Sequence, residues 1–230
     1  MTTIPGNLQH VRARIATACQ RAGRGVEEVT LLADSKTFGA DAVRAAAAAG
    51  QRAFGENYIQ EGVDKIVALR DLGLTWHCIG PIQSNKTRLV AEHFDWVHTV
   101  DRLKIAERLS AQRPADRPPL NVCIQVNIDG GANKSGVAPG EALALARAVA
   151  ALPQLKLRGL MSIPEIAPDF EAARAVHASA RALFDQLNAD GLGLDTLSMG
   201  MSDDLEAAIA AGSTMVRIGT AIFGSRAPKP

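Results

Sequence analysis

The chain has 230 residues, 47% of them hydrophobic and 4% aromatic, with 25 basic and 24 acidic side chains and a net charge of +1. That length suits one large α/β domain with a substantial core, and a chain rich in Ala, Leu and Val but poor in aromatics reads as helices on a sheet rather than a β-sandwich. The charge balance argues against a nucleic-acid partner, the lack of any run of about 18 apolar residues against a membrane span, and the wide spacing of Cys19, Cys78 and Cys123 against a disulfide framework or zinc site. The first twenty residues carry no apolar signal core, so a reducing, cytoplasmic location is expected.

Leu8, Val11, Ile15 and Cys19 recur at helical spacing and predict a helix over 7–23. "VTLLADSK" (29–36) is rich in leucine and β-branched residues and predicts a strand. "GADAVRAAAAAG" (39–50) predicts an alanine-rich helix closed by Gly50. "RAFGE" (52–56) is strand-like, and "NYIQEGVDKIVALRD" after it is helical. "LTWHCIG" (74–80) predicts a strand, followed by the helix "SNKTRLVAEH" with Ser84 as its cap. "FDWVHTV" (94–100) is a strand, and "DRLKIAERLSAQ" a helix capped by Asp101. "RPADRPP" (113–119) reads as a loop rather than a domain boundary. "LNVCIQVNI" (120–128) is a strand, and "PGEALALARAVAAL" a helix with Pro139 near its start. "LKLRGLMSI" (155–163) is a strand and 169–189 a long amphipathic helix. "DTLSMG" (195–200) is a strand, "SDDLEAAIAAG" a helix capped by Ser202 or Asp203, and "TMVRIG" (214–219) the last strand.

Strict alternation of strand and helix implies parallel strands, and eight of them favour a single closed (β/α)8 TIM barrel over 1–230, with an open doubly wound sheet as the fallback. No helix is predicted after the last strand, and the extra N-terminal helix is expected to cover that gap. A parallel barrel carries its functional groups at the C-terminal strand ends. Small residues and hydroxyls after the seventh and eighth strands (Ser202, Gly219, Thr220) suit a phosphate: backbone N–H groups and the helix dipole point at an anion, and glycine lets the backbone approach closely. Lys36 stands at the exit of the first strand. In isolation it reads as a rim lysine. A partly desolvated lysine also forms Schiff bases with aldehydes, and a lysine plus a phosphate cradle in one barrel mouth suit pyridoxal 5′-phosphate. A sugar-phosphate barrel enzyme is the alternative.

The motifs "SKT" (35–37), "FGENYIQE" (54–61), "WHCIGPIQSNK" (76–86), "NKSG" (133–136), "RGLMSIP" (158–164) and "LSMGMSDDLEAAIAAGSTMVRIGTAIFG" (197–224) carry a resemblance. Nearly end to end, the chain resembles the YggS/PROSC family of pyridoxal-phosphate homeostasis proteins, which look like the barrel domain of bacterial alanine racemases standing alone. The resemblance implies a barrel of the alanine racemase N-terminal type. It also implies a non-catalytic protein that stores, buffers or delivers pyridoxal 5′-phosphate, held as a Schiff base by Lys36. By the same resemblance Ser202, Gly219 and Thr220 hold the phosphate, Arg217 faces the pyridine nitrogen, and Asn57, His77 and Met161 line the ring pocket. Cofactor-dependent apo-enzymes are the implied protein partners; a monomer is expected, and no metal.

An arginine stays protonated at ordinary pH, so beside the ring nitrogen it opposes protonation there. The ring is then a poor electron sink, whereas enzymes that rely on the sink place an acid at that nitrogen. The rival reading, an amino-acid racemase, also requires a base from a second domain, for which 230 residues leave no room. One position departs from the family pattern: Asp34 stands where an aliphatic residue is common, two before the lysine. Residues two apart on a strand share a face, so Asp34 contacts either Lys36 or another basic barrel residue. Contact with Lys36 favours the charged amine and slows Schiff-base formation. His93 and His98 are assigned structural or surface roles, the acids of "SDD" (202–204) a helix start, and Lys86 and Lys134 the rim.

Overall fold

The computed structural model describes residues 3–132 and 134–225; Asn133 of the "NKSG" motif and the ends of the 1–230 domain span lie outside them. Eight parallel strands close into a barrel in chain order: β1 (Thr30–Asp34), β2 (Ala53–Glu56), β3 (Thr75–Cys78), β4 (Trp96–Val100), β5 (Leu120–Gln125), β6 (Leu155–Met161), β7 (Thr196–Ser198) and β8 (Met215–Ile218). Closure comes from the β1–β8 ladder, in which Leu32 lies beside Arg217 and Ala33 beside Ile218. Around the barrel run α1 (Ile4–Arg21), α2 (Ala40–Ala48), α3 (Ile59–Ala68), α4 (Thr87–His93), α5 (Leu103–Gln112), α6 (Ala142–Ala150), α7 (Phe170–Ala189), α8 (Leu205–Ala210) and α9 (Thr220–Phe223). Among the described residues no helix is long and apolar enough to cross a membrane.

The main core lies between strands and helices, where Phe54, Phe94, Leu109 and Leu197 are fully buried. Each such side chain contributes roughly 1.5–3 kcal/mol. Inside the barrel only Leu32, Ile79 and Met215 form a second, small apolar cluster. The rest of the interior is largely polar, and that polarity builds the site.

The missing eighth helix is a single turn, α9, and α1 covers the gap as expected. It packs on α8, α9 and α2. Polar residues of the helix and of the turn after it fasten it: Asn7 Nδ2 donates to the Ile222 carbonyl (2.8 Å), Arg14 to Glu206 and the Ser202 carbonyl, and, past the helix end, Arg24 to the carbonyls of Ile209 and Ser213.

Three expected caps are corrected. Ser84 lies within a 3-10 turn, and its carbonyl accepts from Thr87 Oγ1 and Arg108 Nε. Arg102, not Asp101, precedes α5, while the Asp101 carboxylate accepts from the Gly136 amide across the loops. α8 starts at Leu205 behind Asp204 rather than at Ser202 or Asp203. The Asp204 carboxylate accepts from the Met201 amide and from His177 Nε2, each at 2.7 Å. Burial resists ionisation of Asp204, but those bonds hold its carboxyl below the usual range.

Candidate functional site

Alternation along β1 sends Leu32 and Asp34 into the barrel and Ala33 and Ser35 toward the helices. Lys36 follows in the turn past the strand end. Its Nζ lies 3.2 Å from Asp34 Oδ2, and its amide donates to Asp34 Oδ1 at 3.3 Å. Of the two partners expected for Asp34, the structure selects Lys36.

Both neighbours of Lys36 are held from the helix side. Ser35 Oγ donates to Glu56 Oε1 (2.6 Å). Lys65 Nζ, on α3, donates to the Ser35 carbonyl (2.8 Å) and to Glu56 Oε1 and Glu61 Oε1 (2.7 Å each). Glu61 Oε1 also accepts from the Thr37 amide (2.7 Å), and Thr37 has φ +67°, a left-handed conformation unusual for a β-branched residue. Lys36 therefore sits between two pinned residues. Burial raises the Glu56 carboxyl to about 7, with Lys65 and Ser35 opposing the shift. Glu56 was legible as a strand-end residue, but alternation turns it away from the mouth; it and Lys65 form the brace behind the lysine.

On the opposite wall Arg217 is buried in the barrel, where Nη1 donates to Ser198 Oγ (2.7 Å) and Nη2 to the Ser162 carbonyl (2.9 Å). Burial lowers its guanidinium to about 10, which leaves it charged at neutral pH. The chain of bonds continues from Ser198 Oγ to His98 Nδ1 (2.9 Å) and from His98 Nε2 to His77 Nδ1 (2.9 Å). Burial, then Arg158, pushes His77 down to about 3; burial, His77 and Arg217 hold His98 well below its ordinary value. With both rings neutral, the direction that uses the Ser198 hydroxyl hydrogen runs Arg217 to Ser198, Ser198 to His98, His98 to His77; the opposite tautomers reverse the last two bonds. His98 is thus neither a surface residue nor a ligand; it links His77 to Arg217. His77, expected along the ring pocket, turns Nδ1 toward His98 and stacks on Trp96 at 5.1 Å.

The remaining predicted residues stand at the strand exits. Met161 is fully buried at the end of β6, in register with Ser198, and belongs to neither apolar cluster. Ser202 is half-buried in the turn before α8, and Thr220 is exposed at the first position of α9. A Cβ on Gly219 would lie 3.1 Å from the Asp34 carbonyl oxygen and 3.5 Å from its Oδ2, so Gly219 lets the β8 exit close over the Lys36–Asp34 pair.

Besides Glu56 Oε2 on the helix side, three buried polar atoms at these exits lack any hydrogen-bond partner among the described residues: Asn57 Oδ1, Ser162 Oγ and Asn127 Oδ1. Such atoms are costly unless a ligand or water satisfies them. A nucleophilic amine, a buried cation, unfilled acceptors and hydroxyls fit a flat, polar aldehyde with an anionic handle. A 400 Å³ cavity beside the mouth, lined by Ile166, Phe170, Met201, Asp203 and Glu206 among others, offers only acidic and apolar groups. It has no amine for an aldehyde and repels phosphate.

The family described as "Alanine racemase, N-terminal domain" matches residues 6–227. A pyridoxal phosphate homeostasis protein of Pseudomonas aeruginosa is 63% identical over 226 residues, covering 98% of this chain and 97% of that protein. PipY of Synechococcus elongatus, solved with PLP bound, is 39% identical with a TM-score of 0.80, covering 91% of this chain and all of that one. Alanine racemase of Corynebacterium glutamicum, 21% identical with a TM-score of 0.67 over 95% of this chain and 61% of that one, shares the fold. By these matches the chain belongs to the alanine racemase N-terminal domain family, among its pyridoxal phosphate homeostasis (YggS/PROSC) members.

Proposed function

We propose that this chain binds pyridoxal 5′-phosphate through a Schiff base to Lys36 and serves the homeostasis of that cofactor without catalysing a reaction on amino acids. The observation that carries the reading is the placement of Lys36 in one mouth with buried Arg217 and unpartnered Asn57 and Ser162. The names of the relatives and the PLP bound to PipY support the choice of ligand. When bound, the cofactor supplies an aldehyde and, in enzymes, a ring that acts as an electron sink.

The residues divide the work. Lys36 provides the amine, held at the turn by the Glu56–Lys65–Glu61 brace. Ser202 and Thr220 offer hydroxyls and, with Gly219, backbone N–H groups to the phosphate. Arg14 steadies the first of these by donating to the Ser202 carbonyl. Asn57 and Met161 would line the ring pocket; His77, its Nδ1 committed to His98, would support that pocket rather than bond the ring through that nitrogen. Arg217 would set a fixed positive charge beside the ring nitrogen, and a cation there would oppose protonation of that nitrogen. That placement argues against chemistry that draws on the ring as an electron sink.

Lys36→Ala is expected to abolish the visible absorbance of the loaded protein and to make the cofactor removable by desalting. Borohydride reduction and peptide mapping should place the pyridoxyl group of the wild type on Lys36. A label on Lys86 or Lys134, or sustained alanine racemisation that Lys36→Ala removes, overturns the reading. Arg217→Gln keeps bonding capacity but deletes the charge, so it should shift the spectrum of the bound cofactor toward ring protonation. Thr220→Val should weaken retention and leave the spectrum in place. The reverse pattern would put Arg217 on the phosphate.

A further inference from the structure

We propose that Asp34 is the proton carrier of Lys36, speeding both loading and unloading of the aldehyde cargo; this rests on Lys36 as the anchoring amine. The carboxylate is held against the lysine by two contacts, Oδ2 to Nζ at 3.2 Å and Oδ1 to the amide at 3.3 Å. Among the described residues it is the one carboxylate in ion-pair reach of Lys36 Nζ. Few groups face Asp34. Arg217 on β8 feels its charge, Gly219 covers it, and its ladder partner Gly55 on β2 brings no side chain. Glu56 on β2 points the other way, into the Lys65 brace. One anion thus stands between two cations in the mouth.

An ammonium is not a nucleophile. Before nitrogen bonds to the aldehyde carbon, a proton must leave Nζ, and before the carbon–oxygen bond breaks, the oxygen must be protonated. Ammonium and aldehyde together give a protonated C=N linkage and water, with no net proton released. Two protons leave the nitrogen and both end on the departing oxygen. A carboxylate beside the nitrogen serves each transfer, taking the proton from Nζ and returning it to oxygen; hydrolysis runs the same transfers backward.

The ion pair has to be given up before the amine attacks. Both side chains lie mostly out of solvent, at 22% and 13% exposure, so the loss exceeds the few-fold typical of a fully exposed pair. A positioned acid–base group contributes roughly 10²–10⁴-fold. The relay outweighs the brake, which reverses the slowing expected from the sequence. Because a proton relay lowers the barrier in both directions, it changes exchange rates more than affinity.

The test compares wild type, Asp34→Asn, Asp34→Ser and Asp34→Glu, each checked for fold by circular dichroism. Loading is followed by stopped-flow absorbance with pyridoxal 5′-phosphate, and release by transfer to an excess of free amine. Both asparagine and serine variants should load and release at least about tenfold more slowly, with a smaller change in Kd. Asp34→Glu should recover part of the rate, and added acetate should accelerate the asparagine variant but not the wild type. Loading that is unchanged in both variants overturns the relay, and faster loading in both overturns it and makes the ion pair a brake. If borohydride trapping in the wild type misses Lys36, the anchoring reading fails as well; if it labels Lys36 and the rates do not move, Asp34 alone is refuted.

Discussion

Lys65→Ala should lower the stability of the fold by about 3–5 kcal/mol at pH 8.5 and by up to about 2 kcal/mol less than that at pH 6. Lys65 Nζ is buried against Glu56, whose carboxylate is fully buried, with its Oε2 unpartnered. Removing the ammonium leaves Glu56 with only Ser35 to support a charge. The pH dependence follows from the raised carboxyl. A group whose native pKa exceeds its unfolded value stabilises the fold below the unfolded value, and that contribution is lost as pH rises through the native one. In the wild type the loss ends near pH 7, where Glu56 ionises beside Lys65. Without Lys65, Glu56 ionises at still higher pH, so the loss continues and the gap between variant and wild type opens above neutrality. For a domain of this size the effect at pH 8.5 is a fall in Tm of about 10 °C. Thermal unfolding at the two pH values decides the matter: an equal shift at both would show that Lys65 acts through packing alone. The variant should also load cofactor poorly, because the Ser35 carbonyl loses the donor that pins the turn before Lys36.

Gly80→Ala should remove up to about 3 kcal/mol and weaken cofactor binding at least tenfold. A Cβ at Gly80 would lie 2.7 Å from the Asn57 Cα and 2.8 Å from its carbonyl carbon, and closer still to that carbonyl oxygen. All three are backbone atoms, so no side chain can swing aside. Gly80 cannot retreat easily, since its own carbonyl accepts from Thr99 Oγ1 at 2.7 Å. The exits of β2 and β3 must part, and Asn57 moves with them. Gly140→Ala, where a Cβ meets nothing within 4 Å, is the control and should change little. Differential scanning calorimetry and equilibrium titration with pyridoxal 5′-phosphate measure the two effects. Wild-type affinity in Gly80→Ala would remove Asn57 from the site.

All eight strands were legible because strands of a parallel barrel are covered on both faces and read as short apolar runs. Their ends came out a residue or more too long, since chain that leaves the sheet keeps its apolar character for a residue or two. Caps fared worse. Ser84, Asp101, Ser202 and Asp203 all carry the right side chain in the right place, yet distant loops and helices claim the polar groups nearby. The two-residue period put Asp34 and Lys36 on one face but left another basic barrel residue open as the partner; the structure pairs the two. His98 could not be placed: it joins His77 to Ser198 across the barrel interior, and no local pattern encodes which residues meet there. Lys65 left one usable trace. Glu56 shares the outward face of β2 with Phe54, and a carboxylate buried under the following helix needs a cation from that helix.

The β1–β8 ladder and the docking of α1 on α8 and α9 also govern when the molecule can begin to work. During translation the lysine turn emerges early, but Arg217, Gly219 and Thr220 arrive with the last strand. Until then β1 and β7 are open edges, and the buried stripe of α1 (Leu8, Val11, Ile15) lacks part of the surface it packs on. On the proposed reading, a nascent chain stalled before β8 would be a reactive amine without its anion site, and its open strand edges would be prone to pairing. Barrel closure joins the earliest and latest elements in a single late event, so the proposed cargo specificity and protection from aggregation would be acquired together, after synthesis of the strands is complete.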